Sequence, residues 1–375
     1  MNIAIVTTGH PPFDERIFYK FAVSLQMAGY NITVISALQE INTESEGIIV
    51  RGFDGTALLK KDKVERLHSE IVAANPALVI CCEPLAITAA DRYKKQSNDH
   101  VKIIYDITEY YPHQNTLNQF TGFSRMLQYA KLSLFNAYVS NLADYLFIGE
   151  EGKVKLYDTI APFRKKAIIG YYAPKRYFHY YLPAYNGKNF TLCYAGSNAE
   201  SGSFRRFTSL IKTIAQRFPG KTFTAKVIGM EPENGRDKGL ESLSNVKTIY
   251  TGRTDYLNYP SLFEGTDICI DLRDKNIIYN RSLPIKVFDY IACGKPFIFS
   301  DLDSFKGYDD LRTAGLMTDP DDLESAIKRI SRYLNDPEKL KEDSLTAYKL
   351  FEEKYNWEIV EKKMMRIIDS LFTNR

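Results

Sequence analysis

The chain has little cysteine, little tryptophan and almost no net charge. Its five cysteines, Cys81, Cys82, Cys193, Cys269 and Cys293, all lie in apolar runs and form no C-x-x-C pair. That argues against a disulfide framework or a zinc or redox motif and points to buried structural thiols. Lys and Arg number 49 against 46 Asp and Glu, a formal charge of +3, whereas a general nucleic-acid binder needs clustered excess cation. No apolar run approaches the ~18 residues of a membrane span. The opening run Ile3 to Val6 is too short for a signal-peptide core. The expected location is therefore cytoplasmic. At 25% charged and 45% hydrophobic residues, the composition is globular rather than disordered. A length of 375 residues implies about two to three domains and an ample core.

What is present is an alternation of strand and helix signals. Ile3–Val6, Ile32–Ile35, Leu78–Cys82, Val101–Tyr105 and Tyr145–Ile148 are short, continuous apolar runs. Helical patterns fall between them, at 14–28, 62–74, 84–96 and 123–142. Asp14 can cap the first helix, with Phe13 and Phe18 at its staple positions, and Gly29 can end it. Continuous apolar strands separated by helices imply a parallel sheet covered on both faces. The Tyr- and Pro-rich stretch 171–188 reads as a linker. The alternation then restarts, with strands at 190–195, 223–228, 246–250, 268–272 and 296–299. Helices are expected at 203–218, 284–293, 319–334, 337–353 and 356–372. Two doubly wound units in tandem follow, and such sheets bind ligands at the carboxyl ends of their strands.

Four segments carry a resemblance. His10-Pro-Pro-Phe-Asp-Glu-Arg-Ile-Phe-Tyr-Lys20, Tyr105-Asp-Ile-Thr-Glu-Tyr-Tyr-Pro112, Leu283-Pro-Ile-Lys-Val-Phe-Asp-Tyr-Ile-Ala-Cys-Gly-Lys-Pro296 and Tyr355-Asn-Trp-Glu358 stand in this order. Together they resemble the family-four retaining glycosyltransferases over residues 1 to 372. The resemblance implies the GT-B fold: two Rossmann-like parallel-sheet domains facing a cleft, with the last helix crossing back. The domains would span 1–175 on the acceptor side and 188–352 on the nucleotide-sugar side, with 353–375 as the returning helix. It also implies transfer of a sugar from a nucleotide-diphosphate donor to a glycan or lipid-linked glycan, with retention and without a metal or other cofactor.

The site residues follow from the same resemblance. Asp289 corresponds to the acid that holds the ribose hydroxyls. The leaving diphosphate calls for cations and a helix N-terminus, and the segment Ser282, Leu283 and Pro284 is expected to open that helix. Three departures stand out. Arg281 occupies the place of the family's sugar-binding Glu, and Arg cannot accept a hydrogen bond; Asn280 or Ser282 could substitute. Ser197 and Ser201 stand where the family carries Arg and Lys, leaving Arg205, Arg206, Arg253 and Lys286 as candidates for the phosphates. Thr108 replaces the His of the D-x-H-E pattern and cannot titrate near neutrality, leaving Glu109, or His113, as a base toward the acceptor. Gly9 and Gly196 mark turns where backbone could approach a ligand. Asp14, Arg16 and Lys20 read as a cap and a solvated helix face.

Tyr110, Tyr111, Tyr171, Tyr172, Tyr180 and Tyr181, with Arg164-Lys165-Lys166 and Lys175-Arg176 nearby, permit peripheral contact with an anionic membrane face or ordinary linker packing. Three absences at expected catalytic or phosphate positions keep a second class open: a GT-B scaffold that binds a glycan or partner without catalysis. A sugar-nucleotide epimerase is a third reading.

Overall fold

The computed structural model describes residues 1–97, 100–107, 117–235, 237–277 and 279–373. The chain divides into two compact units, Met1–Tyr171 with Val360–Arg375, and Tyr172–Ile359. Each is built on one sheet.

The first unit carries β1 (Asn2–Thr7), β2 (Asn31–Ser36), β3 (Ile41–Ser45), β4 (Ile48–Gly52), β5 (Leu78–Cys81), β6 (Lys102–Ile107), β7 (Tyr145–Ile148) and β8 (Lys165–Ile168). Their spatial order is β3-β4-β2-β1-β5-β6-β7-β8, and every pairing is parallel except β3 with β4. The helices are α1 (Glu15–Ala22, continuing through Val23–Met27), α2 (Lys60–Ala74), α3 (Pro84–Gln96), α4 (Gly122–Ser140) and α5 (Val154–Ile160). The inner strands are buried along their length, as covering on both faces requires. The β3–β4 hairpin is absent from the sequence reading for a physical reason. β3 is exposed or half-exposed throughout, so it carries no apolar signal. Its turn relies on Glu46 and Gly47 at φ 53° and 73°, the geometry of a two-residue hairpin.

Asp14 does cap α1, accepting from the Arg16 and Ile17 amides. Phe13 meets Phe18 edge-on with ring centres 4.7 Å apart. The first eight residues are wound as a wide π-helix, and such turns recur at functional sites. One expectation fails here. Arg16 and Lys20 are not on a solvated face but are buried, at 3% and 1% exposure.

The second unit carries β9 (Asn189–Ala195), β10 (Thr222–Ile228), β11 (Val246–Thr251), β12 (Ile268–Asp271), β13 (Phe297–Ser300) and β14 (Gly315–Thr318). All are parallel, in the order β11-β10-β9-β12-β13-β14. Its helices are α6 (Gly202–Arg217), α7 (Lys286–Ala292), α8 (Leu323–Asn335) and α9 (Pro337–Glu353). Helix α10 (Trp357–Thr373) straddles the division at Val360. Ser201 caps α6 through the Phe204 amide, and Asp322 and Asp336 cap α8 and α9.

Residues 172–188 contain no regular element, yet their rings are packed. Tyr172 lies 4.8 Å from Phe288 between ring centres, and the Tyr180 hydroxyl meets Ser344 at 3.1 Å. Lys175 is paired with Glu352. All five cysteines are free and buried.

Candidate functional site

In each sheet the strand order reverses direction at one point, the place where doubly wound sheets commonly bind ligands. In the first sheet the reversal lies between β1 and β5. The loop after β1 holds Thr8, Gly9 and His10; the residue that ends the β5 loop is Glu83, just before α3. Glu83 binds the β1 loop tightly. It accepts from the Thr7 hydroxyl at 2.9 Å, the Thr8 amide at 2.6 Å and the Gly9 amide at 3.2 Å. Gly9 is therefore a fixed turn: a Cβ there would stand 3.1 Å from the carboxylate.

His10 sits between two carboxylates, with Nδ1 3.2 Å from Asp14 and Nε2 3.6 Å from Glu83. Burial works against its charged form, but Asp14, Glu83 and Asp106 outweigh that and hold its pKa up at about 9. Burial raises the Glu83 pKa. Asp14, despite its burial, is held below its ordinary value by His10 and two backbone amides. Sequence reasoning placed His10 in a motif without giving it a role. Its signal was position alone: a histidine three residues past the first strand.

Behind this loop Arg16 makes a forked pair with Asp106, Nε at 2.7 Å and Nη2 at 2.6 Å. The remaining guanidinium bonds go to the Ile169 and Gly170 carbonyls, and the Tyr171 ring lies 4.5 Å from the guanidinium carbon. Lys20 donates to the Tyr171 carbonyl and to Glu15. These cations are consumed within the unit. Thr108, Glu109, Tyr110, Tyr111 and His113 lie outside the described residues.

In the second sheet the reversal lies between β9 and β12. The loop after β9 starts at Gly196, where a Cβ would stand 2.5 Å from the Tyr194 hydroxyl. The ring of Tyr194 folds under this turn, and its hydroxyl meets the Ser201 hydroxyl at 3.2 Å. Ser201 is thus occupied as a cap. Arg205 is exposed and bonds the Glu200 carbonyl at 2.9 Å. Arg206 turns out not to be a free cation. It pairs with Asp274 at 2.6 Å and Asp321 at 2.7 Å, so two carboxylates already neutralise the charge expected to meet phosphate.

The loop after β12 contributes a pair that the sequence reading missed. Asp271, buried at the strand's end, accepts from Arg273 at 2.8 Å, and its second oxygen has no hydrogen-bond partner among the described residues. Arg281 is exposed further along this loop, and Ser282 and Leu283 are half-buried. The helix does not open at Pro284 as expected. Val287 and Phe288 bond the Pro284 and Ile285 carbonyls in a tight first turn, and α7 proper is only seven residues long. Pro284 is buried ahead of it.

Asp289, on α7, is buried and accepts from the Tyr259 hydroxyl at 3.2 Å. Lys286 donates to the same hydroxyl at 3.2 Å, lies 3.7 Å from Asp289, and stands over the Tyr259 ring. Tyr259 ends the loop that begins with Arg253 after β11. The structure therefore brings Lys286 and Asp289 together, with the Arg253 loop adjoining. Among the described residues Arg253 and Arg281 are exposed and have no ion-pair partner.

Residues 205–366 match a family described as glycosyl transferase-like. No curated protein matches the sequence. Among solved structures, sucrose-phosphate synthase from Thermosynechococcus elongatus matches at 13% identity, over 99% of this chain and 100% of that one, with a TM-score of 0.69. Anabaena HepE in complex with UDP-glucose matches at 12% identity over 98% and 99%, TM-score 0.64. The lipopolysaccharide outer core galactosyltransferase WaaB matches at 13% over 99% and 100%, TM-score 0.60. These likenesses show the fold: it is GT-B.

Proposed function

We propose that this GT-B chain is a glycosyltransferase that moves a hexosyl group from a nucleotide-diphosphate donor to a glycan or lipid-linked glycan, with retention of configuration. The observation that carries this reading is the second unit's strand-end arrangement. A buried carboxylate, Asp289, lies beside Lys286 and Tyr259, next to loops bearing the exposed cations Arg253 and Arg281. A carboxylate suits two ribose hydroxyls, and cations suit a departing diphosphate. Support from outside the chain is the similarity to HepE, solved with UDP-glucose. In the proposed step the bond from the sugar's anomeric carbon to the diphosphate oxygen breaks. The bond to the acceptor oxygen forms on the same face, and the acceptor's proton passes to the leaving phosphate oxygen. Neither an enzymic nucleophile nor a metal is required; positioning and charge stabilisation carry the rate. Glu109 and Thr108 remain the proposed acceptor-side residues.

The test is a panel of UDP, GDP, ADP and dTDP sugars with mixed glycan acceptors, read by product NMR for linkage and anomeric configuration. Transfer from one donor that Asp289→Ala abolishes supports the proposal; products of epimerisation or simple absence of transfer overturn it. One observation favours a second reading, a binding scaffold without catalysis. Ser201 is spent on a cap and Arg206 on two aspartates, at the place where the family grips diphosphate. Nucleotide binding without transfer across the panel would select that reading.

A further inference from the structure

Helix α4 is amphipathic in the reverse sense. Its buried stripe is Leu132, Asn136, Val139 and Ser140, half of it polar. Its opposite face carries Phe123, Met126, Leu127, Leu134 and Tyr138 at helical spacing, and these stand 74%, 61%, 61%, 73% and 56% exposed. Residues 121–127 are exposed on every side of the helix. A solvated helix normally shows the opposite pattern, and a contiguous apolar face marks an interaction site.

The charge along the helix itself has one sign. From Tyr110 to Ala143 there is no Asp or Glu, where the chain's average would place about four. Lys131 is exposed one turn from both Leu127 and Leu134, and Arg125 is exposed near the helix start. The far end of the helix is tied to α5 by Asn141 donating to the Ile160 carbonyl at 2.8 Å. Three residues on stands Phe163, 94% exposed, with Lys165 exposed two residues later. No described helix is long and apolar enough to cross a membrane, so a surface-lying mode is the one available.

We propose that the exposed face of α4, with the Phe163 loop, docks on an anionic lipid surface. Large apolar side chains enter the headgroup–acyl boundary while Lys131, on the flank of the same face, and Lys165 meet phosphate headgroups. Self-association of the same face is disfavoured, because a two-fold contact would set Lys131 and its neighbours against their own copies. The tyrosines of the 171–188 stretch are packed within their units and take no part. The inference does not depend on the transferase reading.

The test uses the full chain with phosphatidylcholine vesicles, with and without phosphatidylglycerol, in a sedimentation assay. The wild type should bind the anionic vesicles and bind the neutral ones less. Phe123→Gln, Leu127→Gln and Leu134→Gln combined should lower the partition coefficient at least about tenfold. Because those side chains are exposed, its melting temperature should stay at the wild-type value. Lys131→Glu with Lys165→Glu should remove the preference for anionic lipid. Phe123→Trp should show a larger blue shift of its emission with anionic vesicles than with neutral ones. Wild-type protein that stays in the supernatant, or a triple variant that binds like wild type, overturns the proposal. So does a concentration-dependent dimer, seen by size-exclusion chromatography, that the triple variant abolishes; that outcome would assign the face to a second copy.

Discussion

The two units present the same topological feature, a strand-order reversal with loops at the carboxyl edge, and furnish it in opposite ways. In the first unit the charged groups at that edge are consumed by one another. Arg16 is locked on Asp106, Lys20 on backbone, and His10 lies between Asp14 and Glu83. In the second unit Asp271 is paired with Arg273 and Asp289 is held by a tyrosine and a lysine, while Arg253 and Arg281 stand in solvent. A preformed charge network makes a rigid wall; unpaired cations beside a carboxylate make a receptor for something that brings its own negative charge. Under the proposed function the difference gives rigidity to the first edge and the ligand's charge to the second, and it can be tested by removing one group from each.

The largest effect is expected at Asp106. Asp106→Ala strands a buried guanidinium, which costs about 3–5 kcal/mol, and the urea midpoint should fall accordingly with little change in slope. A variant that unfolds within about 1 kcal/mol of wild type would show that water reaches Arg16, and the rigid-wall description would fail. The counterpart in the second unit is Asp289→Ala. It removes the charge-assisted hydrogen bond from Tyr259 and the ion pair with Lys286, a loss of about 1.5–3 kcal/mol. It should also remove the stabilisation by the preferred nucleoside diphosphate, about 2.7 kcal/mol at a hundredfold excess over the dissociation constant. Equal thermal shifts for wild type and variant would move the ligand away from this carboxylate.

How much of this was legible in the sequence depended on whether a feature is local. Helix and strand positions were, because periodicity and caps act within a few residues: α3, α9 and β7 fall where the pattern puts them. Asp289 was legible through its motif. The fates of Arg16 and Arg206 were not, since each looks like a surface cation until partners 90 and 68 residues away in sequence are brought beside it. The same holds for α4: its sequence marks a helix at 123–142 but not which face packs, and the apolar stripe is the exposed one. Glu83 gave no signal at all, because its partners, the Thr7 hydroxyl, His10 and two backbone amides, belong to a loop that only the fold brings near.

His10 tests the first edge by pH. Its folded pKa, about 9, lies above the ordinary 6.5, so the folded state binds its proton more tightly. The stability this supplies is fully present below pH 6.5 and is lost as pH rises through 9. With partial exposure discounted, it amounts to roughly 2 kcal/mol. His10→Gln should therefore be less stable than wild type at pH 6, and the gap should close by pH 10. A gap that is constant with pH would mean that the imidazole titrates in the folded protein as it does in the unfolded chain, and that Asp14 and Glu83 do not hold its charged form.

Ser201 carries the smallest effect and separates two roles for one hydroxyl. As the cap of α6 it binds the Phe204 amide at 3.1 Å, so Ser201→Ala should cost about 1 kcal/mol. If capping is all it does, nucleoside diphosphate affinity is unchanged and only the unligated melting temperature moves. Ser201→Asp keeps a capping oxygen but adds negative charge at the place where the family carries Lys. It should restore stability and weaken nucleotide binding, provided the diphosphate lies at this edge. Restored stability with unweakened binding would place the diphosphate elsewhere, leaving Arg253 and Arg281 as the cations that meet it and the β9 turn as plain scaffold.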